Sequence, residues 1–98
     1  MNITMNKNGK VLIVAVAGRL DTLNSPELEK KLGPALEGIE DLVFDFSEVT
    51  YISSAGLRVL LTSMQIMETR GKMTVKNVTR DVMDIFEITG FAEDLNIE

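Results

Sequence analysis

Apolar and polar positions along the chain predict a β-hairpin at its start. Ile3 and Met5 alternate with polar residues, as in a strand with one buried face. Asn8-Gly9 is a strong turn signal, and the run Val11–Gly18 that follows is apolar and rich in branched residues. We therefore predict an antiparallel hairpin whose second strand is buried on both faces.

A first helix is predicted to begin at Ser25-Pro26-Glu27. Serine can cap a helix, proline is favoured at its first position, and an early glutamate suits the positive end of the helix dipole. Because proline disfavours helical geometry just before it, the later pair Gly33-Pro34 predicts a kink or an early break. Helical spacing places five apolar residues on one face: Leu28, Leu32, Ala35, Leu36 and Ile39.

A second helix follows the predicted core strand Leu42–Phe46 and has the strongest helical period in the sequence. Ser53 or Ser54 opens this helix, and Gly71 ends it. Its predicted apolar stripe consists of Leu57, Leu60, Leu61, Met64 and Met67.

A third β–α pair completes the pattern. Residues Met73–Val78 alternate as a strand, Thr79 caps a helix, and Gly90 closes it. The apolar residues of this helix are Val82, Ile85 and Phe86. The acidic tail Phe91–Glu98 is either a loose end or a small docking element.

The element order is therefore ββαβαβα, which predicts the α/β class. Strands that are joined through helices run parallel, whereas the initial hairpin adds an antiparallel neighbour. We expect a mixed β-sheet of about four to five strands with helices packed against it.

Composition limits what such a fold can do. A chain of 98 residues, 45% of them apolar, suits one compact domain spanning residues 1–98. The net charge is −5 and the ten Lys and Arg residues are scattered, so no nucleic-acid partner is expected. Cys and His are absent, which removes thiolate chemistry and the usual base of a serine nucleophile. We expect no metal, no cofactor and no enzymatic activity in the chain itself.

Location and assembly are predicted from the same pattern. The longest apolar run, Val11–Ala17, is too short to span a bilayer, and the first ten residues lack the apolar core of a signal peptide. We expect a cytoplasmic protein with no membrane partner. The lack of a long exposed apolar period predicts a monomer.

Two adjacent serines, Ser53 and Ser54, occupy the predicted junction between the core strand and the second helix. Partners and ligands often dock where a strand ends and the next helix begins. The free N–H groups and the dipole of the first helical turn would tolerate a phosphate there. A phosphoserine carries about −1.5 to −2 charges, so it would repel a docked partner without disturbing the core. The simpler interpretation makes one serine an N-cap and the other a solvated residue.

The sequence around these serines resembles a known family. The segment Leu42–Leu61, preceded by Gly18–Asp21 and followed by Gly71–Phe91, is similar to a STAS domain of the bacterial anti-sigma factor antagonist type. The similarity covers nearly the whole chain. In that family the motif Asp-Ser-(Ser/Thr)-Gly-Leu follows a strand, and a partner anti-sigma factor kinase phosphorylates its serine.

Matching Gly56 and Leu57 to the end of the motif implies that Ser54 is the phosphate acceptor. Ser53 stands at the aspartate position and Ala55 at the Ser/Thr position, so the acidic neighbour and the second hydroxyl are replaced. Ser53 remains a second candidate, both for the acceptor and for the cap, because helix boundaries predicted from sequence shift by about two to four residues.

Two further residues complete the predicted partner-binding surface of Ser53, Ser54 and Gly56. Asp21 matches the family sequence Gly-x-Leu-Asp, whose aspartate lies near the phosphorylation site, although a loop aspartate also commonly caps backbone N–H groups. Arg58 lies on the exposed side of the second helix. It either pairs with a partner carboxylate, screens a phosphate, or is simply solvated.

The resemblance implies a mechanism of partner exchange. The unphosphorylated protein would bind an anti-sigma factor that is a GHKL-type serine kinase and so free the sigma factor for transcription. Phosphorylation of Ser54 would dissolve the pair, and a PP2C-type phosphatase would restore the binding form. ATP and Mg²⁺ belong to the kinase in this scheme.

Two other classes of function compete with this interpretation. An enzyme or nucleotide-binding domain is disfavoured, because the chain has no Gly-rich phosphate loop and Asp21, Asp45 and Glu48 lack the spacing of a metal site. A non-switching STAS scaffold would hold a partner on the same surface and use Ser54 only as an N-cap. Such a scaffold is a subunit of a signalling assembly or of a lipid-transport ATP-binding-cassette complex.

Overall fold

The computed structural model describes every residue of the chain, Met1–Glu98. The predicted order ββαβαβα is confirmed, with one additional short helix at the end. No helix of the fold is both long enough and apolar enough to cross a bilayer. The elements are β1 Asn2–Asn8, β2 Val11–Leu20, α1 Ser25–Ala35, β3 Asp41–Ile52, α2 Ser54–Glu68, β4 Lys72–Lys76, α3 Arg80–Thr89 and α4 Phe91–Asp94.

The four strands lie in the sheet in the order β1-β2-β3-β4, which is also their order in the chain. β1 pairs antiparallel with β2, and the pairs β2–β3 and β3–β4 are parallel. The predicted mixed sheet is therefore confirmed. Because the strand order never reverses, the sheet has no switch-point crevice of the doubly wound kind. The carboxyl ends of β2 and β3 instead lie side by side, with Leu20 opposite Ile52.

The prediction that β2 is buried on both faces is wrong. Leu12, Val14 and Val16 are buried, whereas Ile13 keeps 41% of its surface exposed. The helices add their apolar residues to the same core cluster as Leu12, Val14 and Val16, so they cover that face of the sheet. The opposite face has no helix layer, and β2 is therefore a strand with one buried side.

Helix α1 begins one residue earlier than predicted. Asn24 occupies the N-cap position, and Ser25 is already helical and buried. The Ser25 hydroxyl donates to the Asp21 carbonyl at 2.5 Å instead of capping the helix. The expected early break is confirmed, because α1 ends at Ala35, directly after Pro34.

Helix α2 is buried along a face that is shifted from the predicted stripe. Leu57, Leu60 and Met67 are buried as predicted, but Leu61 and Met64 are only half-buried. Their places in the core are taken by Gly56, Val59 and Ser63. The buried Ser63 hydroxyl donates to the Val59 carbonyl at 2.8 Å, and this bond lets a polar residue lie in the core.

Strand β4 is buried along three successive residues, so the predicted alternation is wrong. The end of the chain is the reason. The Val75 N–H donates to the Asn96 carbonyl and the Glu98 N–H donates to the Val75 carbonyl, both at 2.9 Å. The Asn96 amide also donates to the Thr74 hydroxyl at 3.3 Å. The acidic tail is thus docked along the outer edge of β4.

Helix α3 begins and ends as predicted. Thr79 is its N-cap residue, although the Thr79 hydroxyl donates to the Val49 carbonyl at 3.0 Å instead of accepting from the helix. Val82 and Phe86 are buried, and Gly90 ends the helix with a φ of 84°. The bond from Thr79 to Val49 ties the start of α3 to β3.

Candidate partner-docking site at the β3–α2 corner

The corner between β3 and α2 is where the two adjacent serines lie. Ser53 is the N-cap of α2, with φ −94° and ψ 175°, and its Oγ accepts from the Gly56 N–H at 3.4 Å. The Ser53 N–H donates to the Leu20 carbonyl at 2.9 Å. Ser53 therefore both caps α2 and ties the corner to the end of β2.

Ser54 is the first residue of α2 and is exposed. Since the cap is formed by Ser53, the Ser54 hydroxyl is left on the surface of the first helical turn. The free N–H groups of that turn and the positive end of the helix dipole surround this position. The two hydroxyls thus have different environments, although they are adjacent in sequence.

Gly56 is buried beneath the corner. A β-carbon at this position would lie 2.7 Å from Ile52 Cγ1, which is closer than real contacts allow. The glycine lets the start of α2 lie directly against the ends of β2 and β3 and keeps Ser54 at a fixed height above them. Its role is to permit this close approach.

Asp21 orders the loop between β2 and α1. Its Oδ1 accepts from the Leu23 N–H at 3.0 Å and from the Asn24 N–H at 3.1 Å. Asn24 returns a bond, since its Oδ1 accepts from the Asp21 N–H at 2.8 Å. The loop-capping role of Asp21 is therefore present in the structure. Its contact with a partner stays a prediction.

A shallow hollow of about 240 Å³ separates the starts of α1 and α2. Ala55 and Arg58 line its α2 side, so it lies next to Ser54, and Thr22 brings the Asp21 loop to its rim. Glu29 and Val59 also line a smaller hollow of about 140 Å³ between the same two helices. The structure therefore places Thr22 of the loop after β2 and Arg58 of α2 on one groove, and Ser54 directly precedes Ala55 of its lining.

Sequence reasoning missed two features beside the corner. Leu23 is 92% exposed at the tip of the Asp21 loop. Its position outside every apolar period was the signal that could have identified it. In addition, the Arg19 guanidinium lies 4.3 Å from the centre of the Tyr51 ring, in a cation–π contact between β2 and β3.

The remaining acidic candidates of the sequence do not join this corner. Asp45 lies between the buried Phe44 and Phe46 on β3 and points to the other face of the sheet, as expected of the polar residue of this strand. The Ser47 N–H, followed by the Asn77 amide, donates to its carboxylate and lowers the pKa of Asp45. No three Asp, Glu, His or Cys side chains converge as a metal site would require.

The fold and the β3–α2 corner together define a class of protein. Its members are small mixed α/β domains that present a serine hydroxyl at the start of a helix, beside a shallow groove. A family model described as STAS domain matches residues 2–98. The chain belongs to the STAS domain family, as the resemblance of its sequence predicted.

The chain is similar to several anti-sigma factor antagonists. It is 36% identical over 93 residues to BtrV of Bordetella bronchiseptica, a candidate anti-sigma factor antagonist, covering 93% of this chain and 80% of the relative. It is 28% identical over 98 residues to the anti-sigma-B factor antagonist of Bacillus subtilis, covering 99% of this chain and 90% of the relative.

The fold matches that of the Bacillus anti-sigma factor antagonist SpoIIAA. The TM-score is 0.78 for its unphosphorylated form and 0.77 for its phosphorylated form, at 14% and 15% identity. Each match covers 99% of this chain, together with 87% and 91% of the respective SpoIIAA chains. The named relatives and this fold identify the chain as a STAS domain of the anti-sigma factor antagonist type.

Proposed function

We propose that this protein is a partner switch that binds an anti-sigma factor when unphosphorylated and is released when Ser54 is phosphorylated. The observation that carries the proposal is the exposure of Ser54 at the first turn of α2, while Ser53 alone forms the cap. A kinase can reach Ser54 without opening the core. Sigma-factor-dependent transcription would then depend on the phosphorylation state of one residue.

Phosphate at Ser54 is compatible with the fold. A phosphoserine adds about −1.5 to −2 charges, which the positive end of the α2 dipole favours. The cap bond between Ser53 and Gly56 does not use the Ser54 hydroxyl, so phosphorylation leaves it in place. The added charge would therefore act on a docked partner and leave the stability of the domain little changed.

The groove beside Ser54 supports a docking role. Arg58 lines the groove and is exposed one turn after Ser54 on α2. The 92% exposed Leu23 follows Thr22, which lines the groove from the Asp21 loop. A partner that buried the Leu23 side chain would gain apolar contact in the loop that borders this groove. A phosphate at the edge of such an interface would lose part of its hydration and would be repelled by acidic groups of the partner. Both effects weaken the complex.

The relatives of this chain also support a switch that is controlled by phosphorylation. The similar proteins of Bordetella and Bacillus carry the name anti-sigma factor antagonist, and SpoIIAA has been solved in phosphorylated and unphosphorylated forms. By analogy, the partner of this chain would be a GHKL-type serine kinase that supplies ATP and Mg²⁺. A PP2C-type phosphatase would regenerate the binding form. This chain would be the substrate of both enzymes.

The direct test is incubation with each GHKL-type serine kinase of the same genome, ATP and Mg²⁺, followed by intact-mass measurement. We expect a gain of one phosphate in the wild type and in Ser53→Ala, and none in Ser54→Ala. A phosphate that persists in Ser54→Ala and is lost in Ser53→Ala would move the acceptor to Ser53. Lack of phosphorylation by every kinase, together with stable partner binding, would favour the non-switching scaffold.

A further inference from the structure

A second hollow lies at the opposite end of α2 from Ser54. It forms where the last turn of α2 meets the start of β4 and the segment after α4, and its volume is about 240 Å³. We call it the methionine hollow, because its apolar lining consists of Met64, Met67, Met73 and Leu95. None of these residues lines the groove beside Ser54.

The lining of the methionine hollow is adaptable. Met67, Met73 and Leu95 form its floor, and each of them has no more than 8% of its surface exposed. Met64 is half-buried and forms part of the wall. Methionine is unbranched and polarizable, so it can repack around inserted groups of different shape. The floor is thus suited to an aliphatic side chain that enters from solvent.

The rim of the hollow is acidic. Glu68 and Asp94 line it, and both are exposed. The last turn of α2 has no basic residue, so the negative end of its dipole is uncompensated at the same place. A cationic group is favoured beside the aliphatic floor.

Nearby cations do not neutralise this rim. Arg70 Nη1 donates to the Leu36 carbonyl at 3.0 Å, on the side of α1. Lys72 Nζ lies 3.9 Å from Asp41 Oδ2, on the sheet. The two basic residues that follow α2 in the chain are therefore directed elsewhere.

We propose that the methionine hollow is a docking site for a basic amphipathic segment of a partner protein. The segment inserts an aliphatic side chain among Met64, Met67 and Met73 and sets Lys or Arg side chains against Glu68 and Asp94. Methionine adaptability together with an acidic rim is the chemistry that accepts such segments.

This site is independent of the phosphorylation proposal. A helix of 15 residues is about 20 Å long, so Ser54 and the methionine hollow can be occupied at the same time. If Ser54 were not phosphorylated, the proposal for the methionine hollow would be unaffected. If the hollow bound no peptide, the proposal for Ser54 would be unaffected.

The test uses the full chain labelled with ¹³C at the methionine methyl groups and titrated with a synthetic amphipathic helical peptide of Leu and Lys. We expect the methyl signals of Met64, Met67 and Met73 to shift, while those of Met5 and Met83 stay in place. Two control peptides separate the contributions: Glu replaces every Lys in one, and Ala replaces every Leu in the other. Neither control should shift the three signals.

A charge variant provides the matched protein control. Glu68→Gln combined with Asp94→Asn should raise the dissociation constant of the peptide about threefold or more. Glu87→Gln combined with Asp84→Asn removes the same net charge from exposed positions on α3 and should leave the affinity within about twofold. Equal weakening by both variants would overturn the proposal. So would equal shifts of the Met5 and Met83 methyl signals and those of the hollow, binding of the Glu peptide, or no shift at all.

Discussion

Gly56 lies directly against Leu20: a β-carbon at Gly56 would stand 2.9 Å from Leu20 Cγ and 3.0 Å from the Leu20 carbonyl oxygen. Helix α2 and strand β2 meet at this contact. Leu20 Cγ belongs to a fully buried side chain, and the carbonyl oxygen belongs to the strand, so neither can move aside easily. The height of Ser54 above the sheet depends on this pair.

Gly56→Ala is expected to lower the free energy of unfolding by about 1 to 3 kcal/mol, because overpacking outweighs the better helix propensity of alanine. Urea unfolding followed by circular dichroism measures the loss. Ser54→Ala, in the same turn but exposed, is the control and should change stability by no more than about 0.5 kcal/mol. An unchanged midpoint for Gly56→Ala would show that the corner relaxes around the added methyl group.

Ser53→Ala is expected to destabilise the protein by about 1 kcal/mol, because the Gly56 N–H loses its acceptor. Ser53→Asp should restore the loss, since aspartate also caps and suits the dipole. The same urea experiment applies. If Ser53→Ala and Ser54→Ala cost the same, Ser53 would not be the residue that caps α2.

Ser54→Ala is expected to keep binding of the anti-sigma factor, whereas Ser54→Asp should weaken it. The single negative charge of aspartate imitates part of a phosphate, and an acidic residue in the first helical turn stabilises a helix by about 0.3 to 1 kcal/mol. Calorimetric titration with the anti-sigma factor measures affinity, and urea unfolding checks that both variants are folded. Binding of Ser54→Asp with wild-type affinity would rule out repulsion at the interface.

Asp21→Ala is expected to loosen the loop that carries Leu23, because two backbone N–H groups lose their acceptor. Asp21→Asn keeps a side-chain oxygen at Oδ1 and should preserve the loop. Amide hydrogen exchange at Leu23 and Asn24 measures the difference. If Asp21→Asn exchanges as fast as Asp21→Ala, the negative charge rather than the hydrogen bonds orders the loop.

Asp45 is expected to make stability depend on pH in the acidic range. Its pKa is lowered in the folded protein from the ordinary value of 3.8, so it contributes stability above about pH 3.8 that is lost as pH falls through the folded pKa. Asn77→Gly removes the amide donor and suits the positive φ of 58° at this position.

Carboxyl-detected NMR titration measures this effect directly. We expect the pKa of Asp45 to rise toward its ordinary value in Asn77→Gly while remaining partly lowered, since the bond from the Ser47 N–H persists. An unchanged pKa would mean that the Asn77 amide does not act on the carboxylate in solution.

Local signals explain why much of the fold was predictable from sequence. The Asn8-Gly9 signal predicted the tight turn one residue early: Gly9 has a φ of 63°, but Asn8 still pairs with Val11, so the turn residues are Gly9 and Lys10. Helix α1 ends one residue after Pro34, close to the predicted break, and the period of α2 was long enough to identify that helix. Each of these signals acts within a few residues, where backbone sterics and helix periodicity decide the structure.

Features that depend on distant segments were not predictable. The exposure of Ile13 depends on which face of the sheet the helices cover, and the burial of Thr74 depends on Asn96 at the chain end. Ser25 was predicted to cap α1, but its hydroxyl donates to the Asp21 carbonyl instead. At the candidate site, the motif indicated Ser54, whereas the difference between its environment and that of Ser53 depends on which hydroxyl accepts from the Gly56 N–H.

The sheet order β1-β2-β3-β4 has a consequence for how the chain is made. As the ribosome releases the chain, every new strand adds to the edge formed by the strand before it, and none must be inserted between two that have already paired. The domain can therefore grow in one direction from its amino terminus during translation, which shortens the time that unpaired strand edges are open to aggregation.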